Sequence, residues 1–130
     1  MEPREAKKIL IVDDEKDTVE MITTLLELEG YQVFSAFSGT EAMRFLEMRR
    51  QVTPESETPV DLILLDIMLG DEDGRDVCQK IKGDEEMKFI PVVMLTTTDN
   101  PQEIARRYEL GCNIYVSKPV ADEAFSEAIR

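Results

Sequence analysis

Leu62-Ile63-Leu64-Leu65-Asp66 decides the fold: four consecutive apolar residues read as a strand buried on both faces, and the carboxylate that follows sits at the lip of a core. A charge held there needs partners. The same design recurs along the chain. Ile9-Leu10-Ile11-Val12 runs into Asp13 and Asp14, a strand opening at Pro91 closes on Thr96, and Ile114 to Ser117 leads into Lys118-Pro119. Between these runs lie segments of helical spacing, and strict alternation of the two argues for a parallel sheet with helices on both faces.

Working outward, the strands are expected at Lys8 to Val12, Tyr31 to Ala36, Val60 to Asp66, Pro91 to Thr96 and Ile114 to Ser117. The first helix, Lys16 to Glu29, carries a Val19, Ile22, Leu25, Leu26 stripe and is stopped by Gly30. The second opens at Ser38 with Glu41 three residues on, a capping box, and turns Ala42, Phe45 and Leu46 inward. Arg49 to Pro59 holds two prolines and no periodicity and reads as a long inserted loop. A Gly- and Asp-rich loop then leads to a helix with Val77, Cys78 and Ile81, ended by Gly83. Asn100-Pro101 starts a fourth helix that Gly111 ends, and a last helix spans roughly Ala121 to Arg130. The fold class is therefore α/β, a doubly wound, flavodoxin-like five-stranded parallel sheet of order 2-1-3-4-5.

With 130 residues the chain makes one domain, taken as 7–130 behind a short extension at 1–6. Its 28 acidic and 15 basic residues give a net charge of −13, which repels phosphate backbones and argues against a nucleic-acid partner. No apolar run nears the ~20 residues of a membrane span, and no signal-peptide pattern opens the chain, so a cytoplasmic protein is expected. There is no histidine, and Cys78 and Cys112 stand alone. Thiolate-imidazole catalysis and Cys/His zinc binding are thereby excluded on this chain, leaving carboxylates as the nucleophiles for covalent chemistry.

In a 2-1-3-4-5 sheet the first and third strands are neighbours, so Asp13, Asp14 and Asp66 meet in the crevice beyond their carboxyl ends. Two unit charges ~4 Å apart repel by about 4 kcal/mol at an effective dielectric near 20, so such a group calls for a cation. Magnesium (Mg²⁺) suits hard oxygen donors and keeps waters that a phosphate can displace. Asp66 can then attack phosphorus, with Thr96 donating its hydroxyl and Lys118 pairing with phosphoryl oxygens, to give an aspartyl phosphate. Taken singly, each residue has a bland role: helix cap, loop acceptor, ordinary β-former, solvated lysine. Taken jointly, at the carboxyl ends of four predicted strands, they point to a phosphoryl-accepting site.

These residues carry a resemblance. Ile11-Val12-Asp13-Asp14-Glu15, Leu64-Leu65-Asp66-Ile67-Met68-Leu69 with Asp73-Gly74, Pro91 to Thr96, and Tyr115-Val116-Ser117-Lys118-Pro119 occur in the order found in the receiver domain of two-component response regulators, the CheY-like family, which the chain resembles from about Lys7 to Arg130. The resemblance implies that Asp66 is the phosphoacceptor, that Asp14, Asp66 and the Met68 carbonyl bind Mg²⁺ directly, and that Asp13 does so through water. It implies a cis Lys118-Pro119 bond. It further implies that Thr96 and Tyr115 switch on phosphorylation and reshape the face of the fourth helix and fifth strand. The implied partners are a sensor histidine kinase or phosphotransfer protein as donor and a downstream effector on that face, with a homodimer left open. The Thr96 to Pro101 run and the long loop look like small stand-alone receivers, including those paired with phytochrome-type kinases.

The chain also departs from the family. Gly70 replaces the usual proline, which predicts a looser loop after the third strand. Thr97 replaces a small residue, and Met68 and Thr98 flank the acceptor where they could affect water access. Three other readings compete. A phosphohydrolase would use Asp71-Glu72-Asp73-Gly74, which lies too far from its strand. A flavin carrier would need a phosphate cradle where Asp13-Asp14-Glu15 stands. A scaffold that has lost phosphorylation would not need the acid, hydroxyl and lysine set, which is retained.

Overall fold

A computed structural model describes residues 7–54, 57–70, 72–96 and 114–117, with Thr96 and 114–117 described by backbone alone. In chain order the elements are β1 (Lys8–Val12), α1 (Lys16–Leu28), β2 (Gln32–Ala36), α2 (Gly39–Val52), β3 (Leu62–Asp66), β4 (Met68–Leu69), β5 (Glu72–Asp73), α3 (Gly74–Gly83), β6 (Val92–Thr96) and β7 (Ile114–Ser117). β2-β1-β3-β6-β7 form one sheet and every neighbouring pair is parallel, which is the expected 2-1-3-4-5 order with β6 and β7 as fourth and fifth strands.

The period-2 alternation of strands splits the apolar residues into two cores. Leu10, Val12, Ile63, Leu65, Val92 and Met94 face Ala42 and Leu46 of α2 and Val77, Cys78 and Ile81 of α3. Ile9, Ile11, Leu64, Val93 and Leu95 face Val19, Ile22 and Leu26 of α1. A strand buried on both faces cannot alternate apolar with polar, which is why these strands read as unbroken hydrophobic runs. Burying one such Leu or Ile contributes about 1.5–3 kcal/mol.

Helix ends follow local chemistry. Ser38 caps α2 by accepting the Glu41 N–H (3.1 Å), and the Glu41 carboxylate takes the Phe37 N–H (3.2 Å), one residue earlier than in the expected box. Gly30, at φ +94, turns the chain out of α1 while its N–H bonds to the Glu27 carbonyl (3.0 Å).

Two expectations change. α2 continues through Arg49 to Val52, a stretch expected to be loop. Arg50 binds Glu47 one turn back (2.5 Å) and Asp84 beyond α3 (3.3 Å), and the Thr53 hydroxyl donates to the Arg49 carbonyl (2.5 Å). Polar pairing extends the helix where apolar periodicity has ended. The loop after β3 is not loose: β4 and β5 pair as an antiparallel hairpin, Met68 opposite Asp73 and Leu69 opposite Glu72, and Gly70 at φ +62 supplies its turn. Proline, confined to negative φ, could not take that conformation. The predicted fourth and last helices and Cys112 lie outside the described residues, among which no helix is long and apolar enough to cross a membrane.

Candidate functional site

Strand register assembles the site. Val12 lies opposite Leu65, so Asp13 and Asp66 are the next residues on two adjacent strands. The Asp13 N–H extends the ladder to the Ala36 carbonyl (3.1 Å), and the Ile67 N–H extends it to the Leu95 carbonyl (3.0 Å), so both acids stand on continuous sheet. Both are buried. Asp13 Oδ1 accepts the Glu15 N–H (2.9 Å), a turn that swings the chain toward α1 and brings the Glu15 side chain back over the strand end. One carboxylate oxygen from each of Asp13, Glu15 and Asp66 lies within 4.8 Å of the others.

Asp14 is exposed and does not belong to that trio; its Oδ2 instead approaches the β4–β5 turn, 3.4 Å from where a Cβ on Gly70 would sit. Glu15, likewise exposed, supplies the third oxygen of that trio. It belongs to the quoted Asp13-Asp14-Glu15 motif, in which nothing marks the acid whose oxygen lies nearer the two buried aspartates.

Asp66 is positioned from its C-terminal side as well. Its Oδ1 accepts the Met68 N–H (3.2 Å), and the Gly74 N–H bonds back to the Ile67 carbonyl (2.7 Å), closing the β4–β5 hairpin at its base. A Cβ on Gly74 would lie 2.0 Å from the Asp66 carbonyl oxygen. Glycine after Asp73 is thus a steric requirement of the loop that follows Asp66. The Met68 side chain is 69% exposed, so it covers no core.

The neighbouring acids are committed elsewhere. Asp73 caps α3 through the Arg75 N–H (2.9 Å) and forks onto the Arg75 guanidinium, with Nε at 2.7 and 2.8 Å. The hydrogen bond from Arg75 holds its carboxyl below the usual carboxylate range. Glu72 reaches the start of α2, where it accepts from the Gly39 N–H and the Thr40 hydroxyl. Neither side chain belongs to the acidic trio around Asp66, and Asp71, the first acid of the phosphohydrolase motif, lies outside the described residues.

Thr96 ends β6 one residue past Leu95, the partner of Asp66, and is opposite Ser117, the residue before Lys118. Tyr115 lies in β7 opposite Met94. Lys118, Asp71, Thr97 and Thr98 lie outside the described residues.

The donor set fits a small divalent cation. Octahedral Mg²⁺ binds oxygens at 2.0–2.1 Å, so its ligands lie about 3.0 Å apart when cis and about 4.2 Å apart when trans, and carboxylate oxygens within 4.8 Å of one another can be drawn onto one cation by side-chain adjustment. At 4.8 Å and an effective dielectric near 20, each pair of charged carboxylates repels by about 3.5 kcal/mol. A bound cation would remove that cost.

A doubly wound parallel sheet with paired buried carboxylates at the carboxyl ends of two adjacent inner strands defines a flavodoxin-like fold with an acidic ligand crevice. The chain belongs to the response regulator receiver domain family, whose model matches residues 9–130. It is similar to the signal receiver domain of a signal transduction histidine kinase from Syntrophus aciditrophicus, at 32% identity over 95% of this chain and 87% of that one, with a TM-score of 0.78. The N-terminal domain of a response regulator receiver protein from Methanoculleus marisnigri JR1 is 38% identical over 94% and 92% of the two chains, TM-score 0.73. The bacteriophytochrome response regulator AtBRR is 37% identical over 97% and 91%, TM-score 0.79.

Proposed function

We propose that this receiver is phosphorylated on Asp66 by phosphohistidine of a partner sensor kinase or phosphotransfer protein. One observation carries the reading: the Asp66 carboxylate is buried at the end of β3, oriented by the Met68 N–H, and within 4.8 Å of the Asp13 and Glu15 oxygens. In the transfer a carboxylate oxygen of Asp66 forms a bond to phosphorus as the phosphorus–nitrogen bond of the donor breaks, and the imidazole nitrogen keeps the bonding electron pair.

Asp13, Asp14, Asp66 and the Met68 carbonyl are the proposed magnesium ligands, with Glu15 added by its place in the trio. A magnesium ion bound there would neutralise charge on the transferring phosphoryl oxygens. Thr96 would donate its hydroxyl to one of those oxygens and Lys118 would pair with another. The reading gives Tyr115 a switching role and makes the β6–β7 side of the sheet, with the segment that joins them, the surface a downstream effector reads. The chain modifies only itself and is not assigned an enzymatic turnover.

The test is to incubate the protein and its Asp66→Asn variant with Mg²⁺ and a small phosphodonor and to weigh the intact products. Acid-stable, base-labile phosphate on the wild type alone is expected. Equal labelling of both would refute Asp66 as acceptor.

A further inference from the structure

Glu72 lies 33 residues from Gly39 in sequence, yet its carboxylate closes on the first turn of α2, accepting from the Gly39 N–H with one oxygen and from the Thr40 hydroxyl (3.1 Å) with the other. The amide donors of a helix's first turn attract an anion, and Ser38 serves only the Glu41 N–H, so Glu72 on the Gly39 N–H supplies a second cap from a distant part of the chain. The approach is tight. A Cβ on Gly39 would fall 2.5 Å from Val77 Cγ2 and 2.7 Å from Glu72 Oε2, so the helix start and the α3 side touch only because residue 39 lacks a side chain.

What Glu72 holds is the outer strand of the hairpin. Glu72 and Asp73 of β5 pair with Leu69 and Met68 of β4, and the Met68 N–H is the group that bonds Asp66 Oδ1 (3.2 Å). The base of the hairpin is pinned by Gly74 to Ile67, and its outer strand by Glu72 to α2. The start of α2 is in turn three residues beyond Ala36, whose carbonyl receives the Asp13 N–H.

We propose that Glu72 is a positioning residue for phosphoryl transfer: by clamping the β4–β5 hairpin to the start of α2 it fixes the Met68 amide and with it the orientation of the Asp66 carboxylate. This rests on Asp66 being the phosphoacceptor. Outer partners that orient a reacting group typically carry about 10- to 100-fold in affinity or activity.

The experiment compares wild type, Glu72→Ala, Glu72→Gln and Thr40→Ala. It measures the rate of labelling by a small phosphodonor with saturating Mg²⁺, well below each melting temperature, and the hydrogen exchange of the Met68 amide without phosphodonor. Glu72→Ala is expected to slow labelling about tenfold and to speed Met68 exchange. Glu72→Gln, which keeps an oxygen acceptor, should stay within about twofold of wild type, and Thr40→Ala should slow labelling about two- to threefold. A lower melting temperature with wild-type rate and exchange in Glu72→Ala overturns the proposal and leaves Asp66 as acceptor intact. If Glu72→Ala does not fold, wild-type behaviour of Thr40→Ala overturns it. Absence of label on wild-type protein overturns the reading of Asp66, and unchanged Met68 exchange in the variants then overturns the clamp as well.

Discussion

Gly74→Ala inverts an ordinary rule. Exchanging glycine for alanine in a helix usually stabilises by about 0.5–1 kcal/mol, and Gly74 is the first residue of α3 at a backbone angle outside the left-handed region. Here the new Cβ would sit 2.0 Å from the Asp66 carbonyl oxygen and 2.9 Å from the Asp66 carbonyl carbon and Ile67 Cα, all backbone atoms that no rotamer change can move. Reaching ordinary contact at 3.4 Å means opening the base of the hairpin by about 1.4 Å, which breaks the 2.7 Å bond from the Gly74 N–H to the Ile67 carbonyl. Overpacking costs about 1–3 kcal/mol and the lost hydrogen bond about 1. Against a helix gain of under about 1 kcal/mol, the net loss is about 2 kcal/mol, a large part of the 5–15 typical of a domain. Urea unfolding of the two proteins at neutral pH, with equal slopes, measures it. A variant within about 0.5 kcal/mol of wild type, or more stable, would refute the contact between α3 and the acceptor backbone.

Three further outcomes can be checked. Asp66→Asn should melt higher than wild type without divalent ions, by about 1 kcal/mol or more, because it removes one repelling carboxylate; added Mg²⁺ should raise the melting temperature of wild type and leave the variant nearly unmoved. No response of wild type to millimolar Mg²⁺ would count against the cation site. Asp73 has its folded-state pKa below the ordinary 3.8, so its contribution is present above the unfolded value and is lost as pH falls through the folded one. The stability gap between wild type and Asp73→Asn should therefore shrink only below about pH 4 in urea titrations, and a gap constant down to pH 3 would contradict the pairing with Arg75. Ser38→Ala removes an N-cap bond and should cost about 1 kcal/mol by the same unfolding assay.

The sheet was legible because β1, β3 and β6 are buried on both faces: β1 and β7 have the bounds expected from the sequence, and the order follows from the alternation of strand and helix. The extension of α2 was not, since Arg49 to Val52 is held by Glu47, Asp84 and Thr53 rather than by a repeating apolar face. The hairpin after β3 has no local signature because Gly70 signals only that positive φ is permitted, while Glu72 of its outer strand bonds to the distant start of α2. A hydrogen bond across 33 residues leaves no periodic trace. At the acid crevice, Asp13 and Asp66 follow from strand neighbourhood, whereas the approach of the exposed Glu15 to them goes with the bond from its own N–H to Asp13, a detail of turn geometry.

Cys78 is fully buried where α3 meets the sheet, among Val77, Ile81 and the strand residues Ile63 and Leu65. With Cys112 changed to serine, it becomes a native reporter of breathing: a thiol reagent can reach it only when α3 lifts away, so the labelling rate reads how often that layer detaches. Because α3 starts at the hairpin that carries Met68, the same rate followed with and without a phosphodonor would tell whether modification of the crevice stiffens or loosens the far side of the sheet.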